Sequence, residues 1–157
     1  MHIFDIATST WFTQITTSVG GMYPKGEAGF CSVVASAADN SSHNIYIYQG
    51  VDESTSSVFI LTLPAFIWVQ VYTLPLPVSE GDIDPTYRHR CQKVHEKHMV
   101  AYRGQSLSNT CDFDKSSGRF QGMAIYDMSA LKWTTTIELE NQQYLVPEPL
   151  YKTIGGK

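Results

Sequence analysis

The sequence predicts an all-β protein built from repeated four-stranded units. Its 157 residues are 43% hydrophobic and 17% charged, and aromatic residues make up 12% of the chain. Aromatic, β-branched and hydroxyl-bearing residues favour strands and turns over helices. Two hydrophobic patterns also recur along the chain, and each is typical of a pair of short strands. Composition and repetition together exclude a disordered chain, a coiled coil and a collagen-like chain.

The first repeated pattern is an apolar strand, a polar turn and a second strand that opens with tryptophan. It occurs three times, with its tryptophans at Trp11, Trp68 and Trp133. A residue with a short oxygen-bearing side chain precedes each tryptophan by six positions, namely Asp5, Thr62 and Asp127. Such a side chain can accept a hydrogen bond from the backbone of its own turn. Because the tryptophans recur at strand starts, we expect them to pack between neighbouring units and not to stack on sugars.

The second repeated pattern is a hairpin that ends at a glycine. One copy begins near Cys31 and ends at Gly50, and the other begins near Cys91 and ends at Gly104. Placed before the later two tryptophan hairpins, these copies complete two units of four strands each. The predicted strands are about 29–36, 44–49, 57–63 and 66–72, then about 90–95, 97–103, 121–127 and 131–137.

The uncharged segment 58–78 is long enough to span a bilayer as a helix. However, Pro64 divides it into two apolar runs of strand length, and both runs are rich in β-branched and aromatic residues. The segment is therefore predicted to form two buried strands joined by a short turn.

These units resemble kelch repeats, which are the four-stranded blades of a β-propeller. More narrowly, they resemble the kelch/galactose-oxidase-like propellers of fungal surface proteins. In that branch a cysteine begins the first strand of a blade, as Cys31 and Cys91 do here, and a Leu-Pro-x-Phe-x-Trp turn is common, as at 63–68. Residues 144–147 and 154–156 also resemble that branch. The kelch diglycine is reduced to the single residues Gly50 and Gly104.

The resemblance implies an all-β propeller fragment of two four-stranded blades plus the outer hairpin of a third. Closed propellers typically have 4–8 blades, so we expect this chain to be the C-terminal part of a larger ring. A β-sandwich is the alternative fold. The implied division is a remnant hairpin at 1–17, blades at 28–72 and 89–137, and a C-terminal tail at 144–157.

The predicted function is a non-catalytic kelch module that binds a protein or another macromolecule. The sequence contains no serine–histidine–aspartate order, phosphate-binding glycine loop or acidic pair, so we predict no cofactor and no resident metal. The net charge of −4 argues against nucleic acid. The expected recognition loops are 50–57, 73–87 and 105–119, because loops on a rigid scaffold carry recognition. The resemblance implies a secreted or cell-surface setting, with any membrane contact made through parts missing from this chain.

Two alternative functions follow from the same resemblance, a galactose-oxidase-like copper enzyme and a glycan-binding propeller. His89, His95 and His98 are the histidines that invite a metal site. In the predicted hairpin, however, a turn at 95–97 separates two of them, and no cysteine or carboxylate spacing supports the site. One bound copper ion per protein chain would favour the copper enzyme over the binding module.

The three cysteines leave the redox state open between one disulfide with a free thiol and three buried thiols. In an oxidising compartment Cys91 and Cys111 are the expected pair, because both fall in the second blade. Asn40 begins an Asn-Ser-Ser sequon and is a candidate glycosylation site.

Overall fold

The computed structural model describes residues 1–26, 29–51, 55–75, 86–102, 104–106, 123–140 and 143–154, and this part of the chain is mainly β. The strands are β1 (His2–Asp5), β2 (Thr10–Thr13), β3 (Thr17–Ser18), β4 (Cys31–Ser36), β5 (His43–Val51), β6 (Thr55–Leu63), β7 (Ile67–Pro75), β8 (Thr86–Tyr87), β9 (Arg90–Val94), β10 (His98–Tyr102), β11 (Gln105–Ser106), β12 (Met123–Asp127) and β13 (Lys132–Thr134). Within the described ranges a single α-helix, α1 (Glu148–Ile154), follows the strands.

The first blade is a five-stranded sheet in the order β3-β7-β6-β5-β4. Strands β4 to β7 form an antiparallel meander, as the sequence predicted. Strand β3 adds to the outer edge in parallel, with Ser18 beside Trp68. The sequence did not predict β3, because two residues are too few to show a strand period.

The described part of the segment that could have been a membrane helix, 58–75, belongs to strands β6 and β7 and the turn between them, and 76–78 lie outside the described residues. The two strands are joined by a turn at 64–66, in which the Phe66 N–H donates to the Thr62 carbonyl oxygen at 2.8 Å. The prediction of two strands is therefore confirmed. No helix in the described ranges has the length and apolar character needed to cross a membrane.

The second blade is an antiparallel sheet in the order β13-β12-β10-β9. Strands β8 and β11 form a separate short pair, and β1 and β2 form a separate hairpin in which Phe4 lies opposite Trp11. Strands β4 and β9, the first strands of the two blades, lie beside each other. The two sheets are therefore neighbours through their first strands. The all-β prediction of two blades and a hairpin is confirmed.

The core lies between the two blades. Successive side chains of a strand point to opposite faces, so alternate residues of β4 are buried, namely Cys31, Val33 and Ala35. The same apolar cluster takes buried residues from the rest of the first blade, namely Tyr46, Tyr48, Val58, Ile60 and Val69. From the second blade it takes Met99, Ala101, Tyr126 and Met128.

The C-terminal segment joins this core instead of trailing from it. The Tyr144 side chain is buried, its hydroxyl accepts a hydrogen bond from Asn44 Nδ2 at 3.2 Å, and it lies 2.9 Å from the Tyr46 hydroxyl. Tyr46 donates to the Met128 carbonyl oxygen at 2.7 Å. Leu150 of α1 is also fully buried. The Leu145 N–H donates to Ser129 Oγ at 2.9 Å, so the tail ties the first blade to the turn that follows β12.

Candidate functional site

The three predicted recognition loops leave the blades at one common end, which we call the loop end. The strand register defines it, because Cys31 pairs with Tyr48 where β4 begins, and Arg90 pairs with Tyr102 where β9 begins. Strands β5, β7 and β10 finish at this end, and β6 and β12 start there. Most residues of the loops 73–87 and 105–119 lie outside the described residues, as do 52–54 of the first loop.

Two of these loops are held together by the short strands within them. Gln105 pairs with Tyr87, and Ser106 pairs with Thr86, which joins β11 to β8. Strand β8 in turn lies beside β5 of the first blade. The loop end is therefore continuous across both blades.

A disulfide links the blades at the loop end. Cys31 Sγ is bonded to Cys91 Sγ, with the two Cα atoms 5.4 Å apart and a sequence separation of 60. The expected pairing of Cys91 with Cys111 is wrong, because Cys91 has only one sulfur atom; Cys111 itself lies outside the described residues. The prediction assumed a bond within one blade. The repeat pattern already placed both cysteines in equivalent first strands, and first strands of adjacent blades are spatial neighbours.

His89 lies against this disulfide. Its side chain is 3% exposed, and its ring packs on the Tyr48 ring with the centroids 4.2 Å apart. His89 Nε2 lies 3.2 Å from the Tyr48 carbonyl oxygen. Since a carbonyl oxygen only accepts, Nε2 is the protonated nitrogen in this contact. One ring nitrogen of His89 and the sulfurs of Cys31 and Cys91 all lie within 4.8 Å of one another.

The structure does not bring together the three histidines that invite a metal site in the sequence. Among the described residues, the group that could hold a metal is Cys31, His89 and Cys91, without His95 or His98. His95 is exposed in the turn between β9 and β10. His98 is buried, and within the described part of the chain neither ring nitrogen has a hydrogen-bond partner. Burial lowers the pKa of His98.

Trp133 lies between the blades. Its ring centroid is 5.0 Å from that of Tyr48 in the first blade and 5.0 Å from that of Tyr126 in its own blade, both in edge-on geometry. Trp68 is half-buried between β6 and β3. Trp11 is 68% exposed, and its ring partner is Phe4 of the same hairpin. Of the three tryptophans, Trp133 therefore has direct ring contacts across the blade interface.

Comparison with known proteins agrees with this architecture. A protein from the fungus Arthroderma benhamiae described as "Kelch repeat-containing protein" is 32% identical to the chain over 144 residues. The alignment covers 85% of this chain. The chain is a kelch-repeat sequence. It spans 19% of the length of that relative. No family model matches it.

The two single glycines of the kelch repeats occupy irregular backbone. Gly104 has φ of 108°, a conformation that side chains larger than hydrogen rarely adopt. The pairing of β5 with β6 shifts by one residue between Tyr48 and Gly50, which is a β-bulge. Both irregularities lie at the loop end.

The turns that precede the tryptophans are closed in two ways. Asp127 Oδ1 accepts hydrogen bonds from the N–H groups of Ser129 and Ala130 at 2.9 and 2.8 Å, and Asp5 Oδ1 accepts one from Ala7 at 2.8 Å. Thr62 differs from this expectation, because its buried hydroxyl has no hydrogen-bond partner among the described residues. There the backbone bond from Phe66 to Thr62 closes the turn.

A buried lysine and two carboxylates lie at the opposite end of the second blade. Lys97 Nζ is 2.6 Å from Glu138 Oε2 and 3.5 Å from Asp127 Oδ2. The hydrogen bond from Lys97 lowers the pKa of Glu138, and the same bond raises the pKa of Lys97. Asp127 therefore serves both the turn and the ion pair.

Asn40 lies in the turn between β4 and β5, where it is exposed and has φ of 56°. Its backbone N–H donates to the Ala37 carbonyl oxygen at 2.9 Å. The turn lies at the end of the blade opposite the loop end, so a glycan on Asn40 would leave the loop end uncovered.

Proposed function

We propose that this kelch chain is a non-catalytic module that binds a protein through the loop end. The observation that supports the proposal is the common position of three connections, 50–57, 73–87 and 105–119, at one end of both blades. Recognition residues are concentrated on loops that a rigid scaffold positions. Here the scaffold is two packed sheets joined by the bond between Cys31 and Cys91.

We also propose that the chain acts as part of a larger propeller. It spans 19% of its kelch relative, and propellers close with typically 4–8 blades. Phe4 and Trp11 are 44% and 68% exposed, although their rings contact each other in a tilted arrangement. In the whole protein a preceding blade would cover them. The division into 1–17, 28–72, 89–137 and 144–157 belongs to this proposal, and the strands of the two blades support its two middle units.

The binding proposal is tested in the full-length protein that contains this chain. One variant replaces residues 76–85 with a glycine–serine linker, and a matched control replaces the exposed turn at 38–41, which lies at the opposite end. Proteins captured from the native cells by cross-linking are then quantified by mass spectrometry. We expect the linker variant to lose at least about tenfold of a specific captured protein, and the control to retain it.

Equal capture by both variants, with unchanged thermal melting, would contradict recognition through this loop. Metal analysis and glycan arrays test the two alternatives. One copper ion per purified chain that is lost in His89→Gln or His98→Gln would contradict the non-catalytic module and favour a copper oxidase. Glycan binding without metal would indicate that the ligand is a carbohydrate and not a protein.

A further inference from the structure

We propose that Cys31, His89 and Cys91 form a zinc site when their disulfide is reduced, so that a covalent bond and a Zn²⁺ ion are alternative links between the two blades. The three side chains come from two blades and meet at the loop end. The proposal is independent of the binding function proposed above.

The distances suit zinc. Zn–S and Zn–N bonds are about 2.3 and 2.0 Å, so two ligand atoms of a tetrahedral ion lie roughly 3.5–3.8 Å apart. The three donor atoms here lie within 4.8 Å of one another. Once the sulfurs are no longer bonded, we expect side-chain rotation to bring all three atoms to coordination distance.

The backbone keeps the sulfurs close after reduction. Cys31 pairs with Tyr48 in the β4–β5 ladder, and Cys91 pairs with Ala101 in the β9–β10 ladder. The apolar cluster between the blades contains Cys31 and contacts Cys91. The Cα separation of 5.4 Å is therefore set by two sheets and their packing as well as by the bond itself.

The tautomer of His89 suits a metal ligand. Its Nε2 lies 3.2 Å from the Tyr48 carbonyl oxygen, and in the neutral ring this contact leaves the lone pair on Nδ1, the nitrogen that the proposal assigns to zinc. Histidine ligands usually donate their other N–H to a carboxylate or a backbone carbonyl, which orients the ring. The Tyr48 ring, packed 4.2 Å from the imidazole, further limits its rotation.

The charges favour zinc in this buried place. Cys31 and His89 are buried and Cys91 is half-buried. Two thiolates, a neutral imidazole and Zn²⁺ have no net charge together, so the complex avoids the penalty of burying an unpaired ion. Two thiolates and an imidazole select zinc over magnesium or calcium, and the three protein ligands leave a fourth position for water.

The redox step is a two-electron exchange with a dithiol. The disulfide accepts two electrons and two protons and becomes two thiols, while the dithiol loses the same number and becomes its own disulfide. Zinc then binds the two sulfurs and the imidazole, and the two thiol protons pass to solvent.

The test measures zinc on the 157-residue chain in its oxidised form and after reduction by dithiothreitol. Samples are desalted without oxygen, exposed to zinc alone, and assayed for bound metal and for melting temperature. We expect about one zinc ion per reduced chain, less than about a tenth of that per oxidised chain, and a higher melting temperature of the reduced chain in zinc.

Three variants identify the ligands. His89→Gln is expected to weaken zinc binding at least about tenfold and to lose the thermal effect. His95→Gln changes an exposed histidine of the same blade, and Cys111→Ser removes the third cysteine; both are expected to bind zinc as the parent does. Cobalt replaces zinc in a parallel sample, in which the parent should show thiolate-to-cobalt absorption and tetrahedral bands.

Several results would overturn the site. They are a reduced chain without zinc, a reduced chain that remains unfolded in zinc, unchanged binding by His89→Gln, and loss of binding in Cys111→Ser. If His89→Gln does not fold, the cobalt spectrum of the parent decides, because absent thiolate or tetrahedral bands exclude the coordination proposed.

Discussion

Removing the bond between Cys31 and Cys91 is expected to destabilise the chain strongly. The change is the double substitution of both cysteines by alanine, which keeps the positions small and apolar. Alanine suits the site because Cys31 is buried among apolar residues and Cys91 packs against the same cluster. The substitution therefore removes the covalent link and leaves the polarity of the core unchanged.

The magnitude follows from the length of chain that the bond closes. A cross-link lowers the entropy of the unfolded chain, and the loss grows with the logarithm of the loop length. For a separation of 60 residues the loop-closure relation gives about 4 kcal/mol at 25 °C. In a protein of 157 residues each kcal/mol shifts Tm by about 2–4 °C, so we expect a fall of about 8–16 °C.

The assay is thermal unfolding followed by circular dichroism, with urea unfolding as a second measure of the free energy. Metal is removed with a chelator, so that zinc cannot replace the bond. Cys111→Ala is the matched control and is expected to leave Tm nearly unchanged. Reduction of the parent chain should reproduce the fall seen in the double variant.

Two results would refute this reasoning. One is a loss of stability below about 1 kcal/mol in the double variant, which would mean that the bond does not restrict the unfolded chain as calculated. The other is a proteolytic peptide map under non-reducing conditions in which Cys91 is joined to Cys111. The expected peptide joins Cys31 to Cys91.

Three further predictions concern the packing and titration of single side chains. Trp133→Ala should lower the free energy of unfolding by about 2–4 kcal/mol, because its ring packs between the blades. Trp11→Ala should lower it by less than about 1 kcal/mol, because Trp11 is exposed. Urea unfolding measures both free energies, and equal losses would contradict the packing of Trp133. Burial raises the pKa of Tyr144 to about 12, so the stability it contributes is complete below pH 10 and is lost as the pH rises toward 12. Urea midpoints at pH 9 and pH 11 should fall less in Tyr144→Phe than in the parent, and parallel falls would exclude this residue. Burial also lowers the pKa of His98, so its contribution is present above about pH 6.5 and is lost as the pH falls through the lowered value. His98→Leu should therefore reduce the loss of stability between pH 7.5 and 5, and an unchanged loss would mean that another group titrates.

The features of the fold that depend on residues close together in the chain could be predicted from the sequence. Strands β4 to β7 and the turn at Pro64 follow from apolar runs of strand length and from one proline. Asp5 and Asp127 bond to their own turns because the partner N–H groups lie only two or three residues away. The β3 strand and helix α1 escaped prediction, since each is short and is held by packing against the first blade.

The candidate site could be predicted only in part from the sequence. Sequence spacing did not support a metal site at His89, His95 and His98, and the structure instead places His89 beside Cys31 and Cys91. The turn between β9 and β10 leaves His95 exposed at the other end of the blade. Cys31 belongs to another repeat, so no spacing rule within one hairpin could have found it.

By itself, the sequence determined the repeat, the alternation of buried and exposed residues and the class of the fold, because these depend on chemistry within a few residues. The tertiary structure decided which cysteines bond, that His89 lies beside them, and that Tyr144 enters the core. Each of these contacts joins residues from different blades or from the tail. Their separations in sequence carry no local signal, and only the packing of one blade on the next brings them together.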